Sequence, residues 1–193
     1  MFRGQATCLD SARGAGRAGQ FGHEERGETT LKAHASGQAD GLQAMVEAIL
    51  FEGYTYGDFA RISKAELEGV YAAAYNLVDI GQYEKGERVF EFLNFLNHYD
   101  TRFWLGLGVC RQLRKDYEKA IEAYSMAAIN AVTNPVPPLR AAECHLALGR
   151  LDEAESGARA ALALAGAEPA QEAVRGRAEI ILHGIQRRKQ VSS

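Results

Sequence analysis

The sequence predicts an all-α fold in which three helix pairs stack as a solenoid, preceded by an amphipathic helix and closed by a capping helix. Three observations predict it. From residue 40 onward, apolar residues recur at helical spacing between recognisable start and stop signals. Residues 67–168 match themselves when shifted by 34 positions. Within each of these units a turn residue, Gly81, Lys115 or Gly149, separates two helical patterns.

Residues 1–39 mix Gly, Ala, Arg, Ser and Glu without apolar periodicity. Such a segment buries too little surface to offset the entropy of ordering, so a disordered N-terminal tail is expected there. The folded domain is then 40–193. Asp40 is placed to cap a helix over "DGLQAMVEAILFEG", in which Leu42, Met45, Val46, Ile49 and Leu50 share one face and Gly53 ends the run. The stretch "EGYTYGDFARIS" follows as a linker. Ser63 and Glu66 then have the spacing of a capping box and open the next helix.

The units fall near 67–100, 101–134 and 135–168. In their common register Ala74, Gly108 and Ala142 align, as do Ala73, Leu107 and Ala141, and then Tyr83, Tyr117 and Leu151. Gly86, Ala120 and Ala154 align next, followed by Phe90, Tyr124 and Ala158, and by Leu93, Ala127 and Ala161. Small residues stand where two helices must approach, with an aromatic or aliphatic plug opposite. That is the requirement of a helix pair, helix A followed by helix B. Pro169 suits the first turn of a last helix, 169–189, whose stripe of Val174, Ala178, Ile181 and Ile185 can cover the third unit. Its basic end, Arg187-Arg188-Lys189, suits the negative pole of the helix dipole.

Composition and motifs exclude several functions. The 22 basic residues balance 25 acidic ones, so nothing draws the chain to nucleic acid or an anionic membrane. No apolar run reaches the ~18 residues of a membrane span, and no secretory signal core is present, so a cytoplasmic protein without membrane insertion is expected. Cys8, Cys110 and Cys144 are odd in number and far apart, which fits neither a disulfide framework nor a zinc site. Gly106 and Gly108 resemble part of a dinucleotide loop, but the third glycine and the preceding strand are missing. His23-Glu24-Glu25 lacks the second histidine of a zinc-protease helix. His98 and His145 have no nucleophile beside them. We therefore expect no enzyme, no catalytic residue, no metal and no cofactor. Binding remains.

The units resemble the tetratricopeptide repeat, most fully in the second, with Trp104, Leu107, Gly108, Tyr117, Ala120, Tyr124 and Ala127. Pro138 replaces the Trp in the third, and Val70 in the first. The resemblance implies a right-handed stack with every helix A on the concave side. Positions 2, 5, 9 and 12 of helix A then form one stripe, while Val70, Ala73, Ala74 and Leu77 are expected to supply the face toward helix B. The expected peptide groove is Tyr71, Tyr75 and Val78, then Leu105, Val109 and Gln112, then Leu139, Glu143 and Leu146.

The runs "YEKGERVFEFLNFLNHYDTRFWLGLGVCRQ", "YEKAIEAYSMAAI" and "AAECHLALGRLDEAESG" are more particular than a generic repeat. They resemble the class II chaperones of type III secretion systems, over about 40–185. That resemblance implies a bacterial cytoplasmic protein that keeps pore-forming translocators soluble before secretion. Tyr71, Tyr75, Val78, Leu105 and Val109 match the family's groove positions. Gln112, Leu139, Glu143 and Leu146 follow from periodicity alone. The 41–52 helix is the expected dimer element. The competing expectation is a repeat adaptor that binds a regulatory protein, such as a transcription factor, or a component of the secretion apparatus.

Overall fold

The computed structural model describes residues 46–49 and 51–191. The expected tail 1–39, with Cys8 and His23, and the expected helix residues Asp40, Leu42, Met45 and Leu50 lie outside them. Residues 46–49 and 51 are helical and Gly53 has a φ of +75°, as a helix terminator should.

The linker holds a helical turn that periodicity did not reveal. Helix α1, Tyr56–Phe59, starts from a capping box in which the Thr55 hydroxyl accepts from the Asp58 amide while Asp58 accepts from the Thr55 amide at 2.7 Å. Gly57 presses against the Leu96 carbonyl, which a Cβ would approach to 3.1 Å.

Three helix pairs follow: α2 (Lys64–Asp79) with α3 (Tyr83–Leu96), α4 (Thr101–Leu113) with α5 (Tyr117–Asn130), and α6 (Val136–Ala147) with α7 (Leu151–Ala165). The Ser63 box opens α2 as expected, its amide donating to Glu66 at 2.8 Å. A short 3-10 turn, Pro169–Gln171, precedes α8, Glu172–Val191, so Pro169 begins the turn before the last helix rather than the helix itself. Among the described residues there is no strand, no helix long and apolar enough to cross a membrane, and no grouping of three His, Cys, Asp or Glu that could hold a metal ion.

The predicted turn register is reproduced in detail. Gly81, Lys115 and Gly149 all have positive φ, at +78°, +65° and +76°. In each turn the next amide reaches back to helix A: Gln82 to the Leu77 carbonyl at 2.8 Å, Asp116 to Arg111 at 2.9 Å, Arg150 to His145 at 2.9 Å. These are Schellman closures. Lys115 adopts the left-handed conformation that the other two turns give to glycine.

Small residues set the approach of the helices. A Cβ on Gly108 would lie 2.4 Å from the Tyr124 ring, and one on Gly106 would lie 2.2 Å from the Phe90 ring. Neither glycine serves a phosphate loop. Gly108 admits its own pair's helix B, and Gly106 admits the plug of the preceding pair. Cys110 and Cys144 are fully buried, and burial pushes both thiols up to about 12, so they pack as small apolar groups.

Helix α8 continues the repeat register. Ala178 follows Cys144 by 34 positions and is fully buried, as is Ile185 further on. The first part of the last helix thus keeps the helix A register of a fourth unit, and the helix runs on through His183, 34 positions after the Gly149 turn. Val174 and Ile181 complete its buried stripe as expected.

Candidate peptide-binding face

The predicted groove residues sit on α2, α4 and α6, at equivalent positions of three successive A helices. Tyr71, Tyr75, Val78, Leu105, Val109 and Leu139 are buried. Gln112, Glu143 and Leu146 are half-buried. The division of faces expected from the sequence needs correction. Ala73, assigned to the face toward helix B, is exposed and Leu77 is half-buried, whereas Tyr71, Ala74, Tyr75 and Val78 make one core face. The spacing 71, 74, 75, 78 is itself that of a single helical stripe.

The burial comes from helix B of the same pair together with the next pair: the Phe90 ring of α3 lies 5.6 Å from Tyr75 and 6.1 Å from Tyr71. The Tyr71 ring lies 4.7 Å from Tyr75 and 5.6 Å from Phe103 of the next A helix. The Arg102 guanidinium sits 4.9 Å from its centroid, in cation–π range. Arg102 also donates to Glu68 at 2.6 Å and to Asp100 at 2.7 Å, locking α4 to α2. Burial pushes the Tyr71 phenol above its usual range. The face is therefore a packed wall with aromatic and aliphatic side chains as its floor.

Polar groups mark its far end. The Glu143 carboxylate accepts from Gln112 of α4 at 3.2 Å, from Arg140 at 3.0 Å and from Arg177 of α8 at 2.6 Å. The Tyr124 hydroxyl holds the other end of Gln112 at 2.7 Å. Burial works to raise the Glu143 carboxyl, but Arg140, Arg177 and these hydrogen bonds outweigh it and hold it below its ordinary value. The pairs Glu68–Arg102 and Glu143–Arg177 are each 34 positions apart, so the same register that packs the helices also staples them. Arg177 and Ile180 were missed from the sequence, although one more shift of 34 from Glu143 and Leu146 reaches them.

No family model matches the chain. The low calcium response locus protein H of Yersinia pseudotuberculosis is 40% identical over 149 residues, covering 77% of this chain and 89% of the relative. The type III secretion translocator chaperone SycD of Yersinia enterocolitica superposes with a TM-score of 0.65 at 41% identity, over 67% of this chain and 89% of that one. The chain belongs to the type III secretion translocator chaperones. A third relative of this chaperone, PcrH of Pseudomonas aeruginosa, was crystallised with the chaperone-binding region of PopD; it gives a TM-score of 0.64 at 44% identity, over 66% of this chain and 96% of that one.

Proposed function

We propose that the chain is a non-enzymatic chaperone of the bacterial cytoplasm that keeps pore-forming translocators soluble before secretion. It grips an extended apolar client segment along the inner wall of α2, α4 and α6. The observation that carries this reading is the wall itself. Buried Tyr71, Tyr75, Val78, Leu105, Val109 and Leu139 form its floor, and half-buried Gln112, Glu143 and Leu146 edge it. An extended peptide laid along this wall meets the accessible edges of Gln112, Glu143 and Leu146, polar and apolar groups that fix its register over a floor that is already packed. PcrH, which takes a translocator region, shares the fold.

The buried tyrosines are poor choices for a test, because truncating them would damage the core. A photo-crosslinking residue at Gln112 or Leu146 reports on the inner wall, and one at Ile129, exposed on helix B, reports on the outside. Crosslinks to the chaperone-binding region of PopD from the first two sites but not from Ile129 are expected. Crosslinks from Ile129 alone would sink the reading. Dimerisation through the 41–52 helix belongs to the same proposal, supported by the exposed apolar side chains of Val46 and Phe51.

A further inference from the structure

We propose that Arg177 and Ile180 of α8 form a fourth rung of the client-binding wall, one that accepts a carboxylate of the client beside an apolar side chain. This inference rests on the inner-wall reading above and adds a chemical preference to it.

Register places both residues on the wall. Arg177 stands 34 positions after Glu143, and Ile180 stands 34 after Leu146, the two groove positions of the third unit. Contact confirms the adjacency for Arg177, whose Nε donates to Glu143 at 2.6 Å. The Glu143 side chain is 10% exposed and is itself fixed by Arg140 and Gln112. One edge of the Arg177 guanidinium is thus held by a buried, immobilised partner.

The other edge is available. The Arg177 side chain is 60% exposed, and its Nη groups donate to none of the described residues. A guanidinium anchored through Nε and open through its Nη edge is preorganised for a carboxylate, which it can meet with parallel hydrogen bonds. Ile180, one turn further along α8, is 71% exposed. It contrasts with the exposed positions Glu172, Glu179 and His183 of the same helix, which are polar as the end of a solenoid requires. An exposed isoleucine next to an exposed guanidinium offers an apolar contact and a positive charge within one turn. An acidic residue flanked by an apolar one satisfies both.

The test uses the full chain and the chaperone-binding region of PopD as probe, with affinity measured by calorimetry. Arg177→Glu and Ile180→Asp are each expected to weaken binding about tenfold, with Arg177→Lys intermediate because the fork is lost and the charge kept. Each Asp or Glu of the probe is then changed to its amide, and the C-terminus is amidated separately. One of these changes should cost wild type about as much as Arg177→Gln does, and cost the Arg177→Gln chain nothing further. Loss of the Glu143 bond alone cannot produce that coupling. Coupling to a side chain or to the terminus identifies which carboxylate is held. Coupling to none overturns the inference. A probe whose binding is unaffected by Leu146→Asp overturns the inner-wall reading as well, whereas sensitivity at Leu146 without coupling at Arg177 removes only the fourth rung.

Discussion

The junction between the first two helix pairs and the junction between the third pair and α8 obey one register but are filled differently. At the first, Phe90 enters the hole left by Gly106, with Tyr75 at 5.6 Å and Tyr71 at 6.1 Å from its ring. At the second, Ala154, Ala158, Ala161, Ala165 and Ala178 bring the backbones together, and Ile181 and Ile185 fill what remains. Ion pairs join that end at its surface, Lys189 reaching Asp152 and Glu155 at 2.8 Å. The register fixes where helices touch, and the filler decides how the contact fails. A large ring in a glycine hole has no substitute of similar shape nearby. A row of alanines and charges can lose one member with modest effect.

The largest expected effect breaks the aromatic junction. Phe90→Ala should cost about 3–5 kcal/mol in urea denaturation, and Gly106→Ala about 1–3 kcal/mol because its Cβ meets the Phe90 ring. Ala158→Gly at the alanine end should cost only about 1 kcal/mol. Equal losses at both junctions would erase the distinction between them.

Next in size is the polar staple. Glu143→Ala should cost about 3 kcal/mol, since it strips buried Arg140 of a carboxylate partner. The same group gives a pH dependence. The Glu143 pKa is lowered in the folded chain, so its contribution is complete above the ordinary value of 4.5 and is lost as pH falls through the folded value. Denaturation of Glu143→Gln followed below pH 4.5 should therefore fall less steeply than that of the native chain.

The smallest effect concerns the turns. Lys115→Gly should stabilise by about 0.5–1 kcal/mol, because glycine takes positive φ without a Cβ penalty. Gly81→Ala and Gly149→Ala should destabilise by about 1 kcal/mol although each has open space for a Cβ. A thermal melt in which all three move together would deny the equivalence of the turns.

The helix pairs, their turns and the small-residue notches were legible because each is written in local spacing, and the 34-residue shift checks every position against two others. The Thr55 box around α1 was legible in principle, but its four residues show no period. The wall along the A helices was only half legible. Periodicity places Tyr71 and Leu105 at equivalent positions, yet it cannot tell how closely helix B and the next pair approach, and that distance decides whether a ring lines a trough or closes a wall. Arg177 escaped for another reason. Pro169 suggested an end to the repeats, while the register ran on beneath it.

The connections between pairs differ where the turns within pairs do not. Each A-to-B turn spans the same interval and closes with the same backward amide, so every pair is a rigid block. The first joint, 97–100, is clamped: the His98 carbonyl accepts from Trp104 Nε1 at 2.7 Å and from Asn130 Nδ2 at 2.6 Å, tying both helices of the second block to it. The second joint, 131–135, is one residue longer and carries exposed Val132; the Val136 amide donates to Asn134 Oδ1 at 2.9 Å. Mechanically the molecule is a chain of three blocks whose two joints are tied differently: the first through one backbone carbonyl shared by two side chains, the second through a turn that the Asn134 amide closes on the Ala131 carbonyl and through the Gln112–Glu143 bond between the blocks.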